Sequence, residues 1–213
     1  MRRTMGGASG RILQVAAERF ADNGYRGTSI EDIASGAEIS RSSLFWHFGS
    51  KEGLLRAVIE DTLASWTGTM AEAGEQERGL AGLRASVASM SRLRLENPPM
   101  ARLLAILLGE ASATEPGLIP IFVDIEQSVE ALWRRFLVEA TEDGNLRPGV
   151  DPDQAARVIN AASFGMTQLW VLNPAGHDVS AMEEALLHVV DCLSADGPPA
   201  RRAAKPKAKA AAR

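Results

Sequence analysis

Residues 28–55, TSIEDIASGAEISRSSLFWHFGSKEGLL, predict two short helices joined by a tight turn. Thr28 is followed three residues later by Glu31, a spacing typical of the capping box that begins a helix. Gly36-Ala37-Glu38 then gives the chain a place to turn. Ser40 can cap a second helix, because its hydroxyl can accept a hydrogen bond from a free backbone N–H in the first turn.

The second helix has an apolar side and a polar, aromatic side. Leu44 and Phe48 can face inward together with Ile33 of the first helix and Ile39 of the turn. Left on or beside the open face are Arg41, Ser42, Ser43, Phe45, Trp46 and His47. Two short helices, the second with this set of side chains, indicate a helix-turn-helix that reads DNA.

The residue types suit that task. Arg41, at the start of the reading helix, could form paired hydrogen bonds with a guanine edge or grip a phosphate, and the two serines after it are short enough to let the helix approach the groove. Helix N-termini beginning at Thr28, Ser40 and Ser50 would point backbone N–H groups at phosphates. Lys51 adds a full positive charge at the third of them.

The run SRSSLFWHFGSKEGLL, residues 40–55, resembles the signature of TetR-type transcriptional regulators. That signature contains, in order, an aromatic pair, His, Phe, a short spacer, Lys, Glu and a pair of apolar residues. The motif covers roughly the first 60 residues, and the rest resembles the family only in length and helical character. The resemblance implies a homodimeric repressor with an N-terminal three-helix DNA-binding domain and a larger helical domain that dimerises and binds a small-molecule inducer. Carried over by position, the implied DNA contacts are Thr28, Ser40, Arg41, Ser42, Ser43, Phe45, Trp46, His47 and Lys51.

Two positions depart from the family pattern. Phe45 stands where the family often has Tyr, so a phosphate contact through a phenol hydroxyl is missing. Ser42 stands where Gly or another small residue is common.

The composition predicts an all-α protein with a sizeable core. Of the 213 residues, 46% are hydrophobic, and stretches of alternating Val, Ile, Thr and aromatic residues, which would indicate strands, are almost absent. The net charge of −4 is unevenly distributed, at +2 over residues 1–56, −12 over 57–196 and +6 over 197–213. Because an acidic body is repelled by DNA, we expect the N-terminal domain to lead the approach.

The chain is predicted to have four parts and about nine helices. The parts are a flexible basic arm at 1–9, a helix-turn-helix DNA-binding domain at 10–56, a helical ligand-binding and dimerisation domain at 57–196, and a disordered basic tail at 197–213. Outside the helix-turn-helix pair, helices are predicted at about 10–23, 51–73, 77–96, 100–111, 118–142, 152–172 and 180–193. The helix at 51–73 links the head to the body, so a signal between them passes through or beside it. The helix at 100–111 is so apolar that we expect it to be buried on all sides.

The last two helices suit association between two copies of the chain. Small residues on one and an apolar stripe on the other permit close packing. The expected dimer interface consists of Ala162, Gly165, Leu169, Met182, Leu186, Val189 and Leu193. Helix-turn-helix heads read half-sites about one helical turn or a multiple apart, so a two-fold partner is expected. The alternative is that both stripes only cover the core of one chain.

A small-molecule pocket is expected between the fourth to eighth helices. Bulky apolar residues there could line it, with Asn160 or Gln168 as polar anchors. These lining candidates are Trp66, Met70, Met90, Leu107, Phe122, Phe164, Met166 and Trp170. Aromatic and Met residues at helical spacing also form plain core, and this alternative stays open.

The sequence contains few signals for other classes of function. There is no G-x-S-x-G motif and no Gly-rich phosphate loop after a strand, so an enzyme is not expected. His177 and His188 have no Cys or His neighbours at ligand spacing, so neither a metal nor another cofactor is expected. The single Cys192 suits a reducing cytoplasm. No apolar signal segment follows Arg2-Arg3, and the polar residues within 158–176 favour a buried helix over a membrane span.

The leading hypothesis is therefore a dimeric cytoplasmic repressor that binds a palindromic operator in double-stranded DNA and is released by a mostly apolar small molecule. One alternative is a nucleoid-associated or non-specific DNA-binding protein that uses the basic tail. Another is a ligand-binding or catalytic helical protein whose DNA-reading domain is vestigial.

Overall fold

A computed structural model describes residues 8–111 and 116–197, and within these it contains nine α-helices and one 3-10 turn, Pro116–Leu118. The helices are α1 (Ala8–Gly27), α2 (Ile30–Gly36), α3 (Arg41–Phe48), α4 (Lys51–Glu75), α5 (Gly79–Glu96), α6 (Pro98–Ala111), α7 (Ile119–Glu142), α8 (Pro152–Leu172) and α9 (Val179–Asp191). The only β-type pairing in these residues is an isolated bridge between Leu146 and Ser194. The all-α prediction is confirmed. The predicted arm and tail lie almost entirely outside the described residues.

The capping box of α2 lies one residue later than predicted. Ser29, not Thr28, is the N-cap: its Oγ accepts from the backbone N–H of Asp32 at 3.1 Å, while Asp32 Oδ2 accepts from the Ser29 N–H at 3.2 Å. The Thr28 hydroxyl instead bonds to the carbonyl oxygens of Arg19 and Gly24, each at 2.9 Å, so only Ser29 is free to cap. Hydrogen bonds from the Ser29 side chain and backbone hold the pKa of Asp32 below its ordinary value of 3.8.

Several helix ends differ from the prediction for local reasons. Gly24 was expected to end α1; it has φ +72° and kinks the chain there, but helical structure resumes and reaches Gly27. Asn97 ends α5, yet Pro98 begins α6 at once, because proline is well tolerated in the first turn of a helix. Asp151 caps α8, because its Oδ1 accepts a hydrogen bond from the Asp153 N–H at 2.8 Å.

One hydrophobic core joins the DNA-reading head to the body. It unites the inward faces of α1, α2 and α3 with the first half of α4, with one side of α6 and with the start of α7. The α6 members are Met100, Leu103, Leu104 and Leu107, all at least nine-tenths buried. Because α6 packs on α1 as well as on the body, the head is held by two helices, α4 and α6.

A second core fills the body between α5, α7, α8 and α9. The Phe136 ring lies against two glycines, since a Cβ at Gly74 would be 2.3 Å from its Cζ and one at Gly82 would be 2.7 Å from its Cδ1. Fully buried Trp133 donates its Nε1–H to the hydroxyl of Ser86 at 2.9 Å. Both contacts depend on small residues, Gly74 in α4 and Gly82 and Ser86 in α5.

The expectation that α6 is buried on all sides is wrong. Ile106 is 48% exposed, because α6 covers the head on one side and the body on another but leaves a third side to solvent. Among the described residues, no helix is both long enough and apolar enough to cross a bilayer.

Candidate DNA-binding head and ligand cavity

The α3 helix buries one side chain and presents most of the others. Leu44 is fully buried against the head core, whereas Trp46 is 81% exposed and Arg41 and Ser42 are also exposed. Ser40 caps the helix by accepting a hydrogen bond from the Ser43 N–H at 3.1 Å. An indole this exposed gains nothing from the core of its own chain, so its surface is available to a partner.

The predicted DNA contacts do not all lie on this surface. Ser40, Arg41, Ser42 and Trp46 are exposed, and Ser43, Phe45, His47 and Lys51 are partly exposed around them. Thr28 is only 2% exposed and both its hydroxyl bonds go to α1, so its side chain is not positioned to contact DNA. The prediction that the Thr28 side chain contacts DNA is therefore corrected: this side chain is part of the interior of the head.

Arg41 is held by partners within the head. Its Nη1 lies 2.5 Å from Oε1 of Glu31 in α2, and its guanidinium carbon lies 5.3 Å from the ring centroid of Phe45. Glu31 was predicted only as a capping residue. The pairing reveals that the arginine best placed to read a base already has an anionic partner in the free protein.

The aromatic and basic residues beside α3 are also ordered by neighbours. The rings of Trp46 and His47 meet edge to face with centroids 4.8 Å apart, and His47 Nδ1 is 3.4 Å from the Ser9 hydroxyl. Lys51 Nζ lies 4.5 Å above the ring of Tyr25. Ser50 caps α4 by accepting from the Gly53 N–H at 2.9 Å. The N-termini of α3 and α4 therefore both lie beside this surface, where backbone N–H groups can meet phosphates.

A cavity of about 740 Å³, measured out to its opening to solvent, lies in the body between α4, α5, α6, α7 and α8. Its walls are mainly apolar, as the walls of small-molecule sites usually are. The lining residues are Leu63, Trp66, Thr67, Met70, Met90, Arg94, Ala101, Leu104, Ala105, Leu108, Phe122, Ile125, Val129, Asn160, Ser163, Phe164, Thr167 and Gln168.

Most of the pocket residues proposed from the sequence line this cavity, and three do not. Leu107 faces the head core and is 2% exposed, because it lies on the side of α6 that packs against α1. Met166 and Trp170 line a smaller cleft between α5, α8 and α9. The role of the remaining residues as ligand contacts stays a prediction.

The two proposed polar anchors already have protein partners. Asn160 Nδ2 donates to the carbonyl oxygen of Glu126 at 3.3 Å, and Gln168 Nε2 donates to that of Ala105 at 3.1 Å. These bonds fix α8 against α7 and α6. Each amide keeps its own carbonyl oxygen as an acceptor that a ligand hydroxyl or amide could use.

Arg94 is a cavity residue that the sequence-based predictions do not include. It lines both the cavity and the smaller cleft, and its Nη2 donates to Oγ of Ser163 at 2.8 Å. Burial lowers the pKa of Arg94 to about 10, while the nearby charge of Glu183 acts in the opposite direction. A signal was present, because Leu83, Val87, Met90 and Arg94 continue one stripe at helical spacing and so put a charge on the core-facing side.

The predicted dimer residues divide between surface and core. Gly165, Leu169 and Val189 are exposed, whereas Leu186 is 2% exposed within the body core and was wrongly assigned to a surface. Ala162, Met182 and Leu193 are partly buried against the cores of their own chain. The exposed apolar stripe of α8 is longer than predicted, since it includes Val158 and Leu172, which are 62% and 81% exposed.

Within the described ranges, no three His, Cys, Asp or Glu side chains are placed to hold a metal ion. Cys192 is a free thiol at the end of α9, partly exposed, with its sulfur 3.9 Å from His188 Nε2.

Comparison with known proteins identifies the family. The family model for bacterial regulatory proteins, tetR family, matches residues 12–58. The HTH-type transcriptional repressor KstR2 of Mycobacterium tuberculosis H37Rv is 31% identical over 161 residues, which cover 73% of this chain and 77% of that protein.

Solved structures share the fold at lower sequence identity. FadR from Bacillus subtilis, in complex with stearoyl-CoA, superposes with a TM-score of 0.73 at 19% identity, covering 87% of this chain and 97% of that one. SmeT of Stenotrophomonas maltophilia, in complex with triclosan, gives 0.74 at 24% identity, covering 88% and 91%. Since the head motif, the sequence relative and the whole helical arrangement agree, this chain belongs to the TetR family of bacterial transcriptional regulators.

Proposed function

We propose that this TetR-family regulator is a homodimeric repressor that binds a palindromic operator through α3 and leaves it when a mostly apolar small molecule occupies the cavity. The observation that carries the proposal is the outward face of α3, where Arg41, Ser42 and Trp46 are exposed while Leu44 anchors the helix. That combination suits a recognition helix in the major groove.

Each part of the head has a separate task in this proposal. Arg41 reads a base edge or a phosphate near the start of α3, and Trp46 contacts sugar or the thymine methyl group farther along. The N-termini of α3 and α4, together with Lys51, hold the flanking phosphates and so set the register of the helix in the groove. Thr28 supports the surface from inside by tying α2 to α1.

The exposed stripe of α8 supports the dimer. Val158, Leu169 and Leu172 place large apolar side chains in solvent, and Gly165 between them lets a second helix approach closely. Beside the stripe, Val189 of α9 belongs to an apolar groove between α8 and α9. A second copy related by a two-fold axis would cover both features and bring two heads to one operator.

The route from the cavity to the head follows from the two sides of α6. Ala101, Leu104, Ala105 and Leu108 line the cavity, while Leu103 and Leu107 contact the core shared with α1. In α4, Leu63, Trp66 and Met70 line the cavity, and its first half packs in the head. A ligand that binds better when these helices have shifted favours the released form, and tight binding to both forms would change nothing.

Two structural relatives are complexed with stearoyl-CoA and with triclosan, which supports a small-molecule effector for this chain. The non-specific alternative rested on the basic tail, of which only Gly197 is described, and the comparisons do not favour it.

The test of DNA recognition begins with selection of fragments bound by the full-length protein from genomic DNA. A symmetric site should emerge, and anisotropy at fixed salt should show a preference over scrambled duplex of at least about a thousandfold. Trp46→Ala should weaken operator binding, whereas Leu95→Ala, which truncates another exposed apolar residue far along in α5, should not. Failure to select any symmetric site would refute the proposal.

Single substitutions separate base reading from backbone contact. Arg41→Ala should cost about 1–3 kcal/mol and relax sequence preference, while Lys51→Ala should weaken binding to all sequences alike. Equal losses on every duplex for both variants would show that Arg41 contacts only the backbone.

The dimer is tested by a charge in the α8 stripe. Leu169→Glu should give monomers in sedimentation velocity, because a carboxylate would be buried without a partner at the interface. Leu95→Glu, a matched change on α5, should leave the oligomeric state unchanged. A wild-type protein that sediments as a monomer at micromolar concentration would contradict the arrangement.

A further inference from the structure

The cavity contains one charged side chain among its described lining residues, and that residue is Arg94. The other polar groups are uncharged, namely Thr67, Asn160, Ser163, Thr167 and Gln168. The Thr67, Asn160, Thr167 and Gln168 side chains donate hydrogen bonds to backbone carbonyl oxygens. Arg94 therefore determines the charge preference of the cavity.

The hydrogen-bonding capacity of Arg94 is only partly used by the protein. Its Nη2 donates to Oγ of Ser163 at 2.8 Å and approaches the Ser163 carbonyl oxygen at 3.4 Å. A guanidinium has five N–H donors in a planar fork, and the hydrogen bonds of this one among the described residues go to Ser163 and not to a carboxylate. Donors thus remain for an oxyanion.

The charge of Arg94 also favours binding of an anion beside it. Burial lowers the pKa of Arg94 to about 10, so the side chain is still cationic near neutral pH although its charge is poorly solvated. Glu183 forms no ion pair with this partly exposed cation and balances its charge only in part, so a ligand that brings the opposite charge lowers the cost of its desolvation.

The neighbouring cleft indicates from which side that anion binds. Arg94 and Thr167 line both spaces, but the cleft also contains Glu183, whose carboxylate would repel a second negative charge. The described residues that line the main cavity include no carboxylate. An anion is therefore favoured on the cavity side of Arg94.

From these contacts we infer that the effector is an anionic amphiphile, whose apolar body fills the cavity and whose terminal carboxylate pairs with Arg94. This inference rests on the proposed function, in that it takes the cavity as the effector site. A carboxylate matches the planar fork of arginine and can accept two parallel hydrogen bonds. The apolar walls, with Trp66, Met70 and Phe122, suit a hydrocarbon body.

The test compares head groups on one chain length. Full-length protein is loaded with the neutral fluorophore N-phenyl-1-naphthylamine, which reports occupancy of an apolar cavity. It is then titrated with decanoate or decyltrimethylammonium below their critical micelle concentrations, or with decan-1-ol below its solubility limit. Decanoate should displace the fluorophore at a concentration at least about tenfold lower than decanol, because a charge-assisted hydrogen bond is added. The cationic chain should bind most weakly.

Substitutions assign the preference to Arg94. Arg94→Gln should bring decanoate to the affinity of decanol while fluorophore and decanol binding persist, and a circular dichroism melt checks that the variant is folded. Arg92→Gln, the removal of an exposed charge on the same helix, should keep the wild-type preference.

The outcomes separate the two proposals. Equal displacement by decanoate and decanol in the wild type, or a preference that survives in Arg94→Gln, overturns the anionic assignment while the cavity stays a small-molecule site. Absence of fluorophore and decanoate binding overturns both the assignment and the cavity as effector site.

Discussion

Replacement of Glu31 by Gln should tighten operator binding if Arg41 turns from its own head to the DNA. In the free protein Arg41 Nη1 lies 2.5 Å from Glu31 Oε1, with the two side chains 63% and 58% exposed. An exposed ion pair of this kind is worth about 0.2–1 kcal/mol. If that energy is lost on binding, Glu31→Gln should lower the operator Kd by about 1.4- to 5-fold.

The assay is fluorescence anisotropy with the selected operator and a scrambled duplex at several salt concentrations. Removal of a carboxylate near phosphates also strengthens binding to every duplex, so the control is Glu38→Gln. Glu38 pairs with Arg11 at 2.9 Å, is similarly exposed and lies in the turn before α3. The increase in operator affinity that Glu31→Gln shows beyond the increase from Glu38→Gln is the part assigned to the release of Arg41.

A double-mutant cycle decides whether the gain passes through Arg41. In an Arg41→Ala background, Glu31→Gln should have no more effect than Glu38→Gln, because the released partner is absent. Weaker operator binding by Glu31→Gln would refute the reasoning, since it would mean that Glu31 holds Arg41 in the orientation used on DNA. An equal gain in both backgrounds would refute it as well.

Three further predictions concern the scaffold. Ser86→Ala should lower the free energy of unfolding by about 1–3 kcal/mol in urea titrations, because the buried Trp133 N–H loses its acceptor. Gly82→Ala should cost about 1–3 kcal/mol, because the added methyl would press on the Phe136 ring, and a Tm equal to wild type would contradict this contact. Asp32→Asn should destabilise the protein at neutral pH. The depressed pKa of Asp32 means that its contribution is fully present above the ordinary value of 3.8 and is lost as pH falls through the lower folded value, so the Tm difference from wild type should shrink with acidification.

Local signals in the sequence account for most of the head. Residue type and position predict Ser40 and Ser50 at the starts of two helices, and each caps its helix. The capping box was displaced by one residue because Thr28 and Ser29 carry the same kind of hydroxyl. Only the hydrogen bonds of Thr28 to the carbonyl oxygens of Arg19 and Gly24 distinguish them, and the types of these two residues do not predict such bonds.

Long-range packing accounts for what the sequence did not predict. The stripe of α9 that includes Leu186 is apolar, but its pattern does not tell whether its own body or a second copy covers it. In the fold, Leu186 fills the body core, and exposed apolar area lies instead on α8 at Val158 and Leu172. The role of Arg94 likewise depends on α8, which brings Ser163 to its guanidinium.

The position of α6 explains how a cavity in the body could act on a head built from other helices. The helix α4 is the connection that the sequence predicts for a signal between head and body, and α6 supplies a second path. Its cavity side includes small residues, Ala101 and Ala105, which leave space for a ligand, whereas its head side is closely packed through Leu103 and Leu107. A close-packed contact passes a displacement on because it cannot absorb one. Pressure on α6 from the cavity should therefore reach α1, which braces α2 and α3, and change the orientation of the surface that carries Trp46.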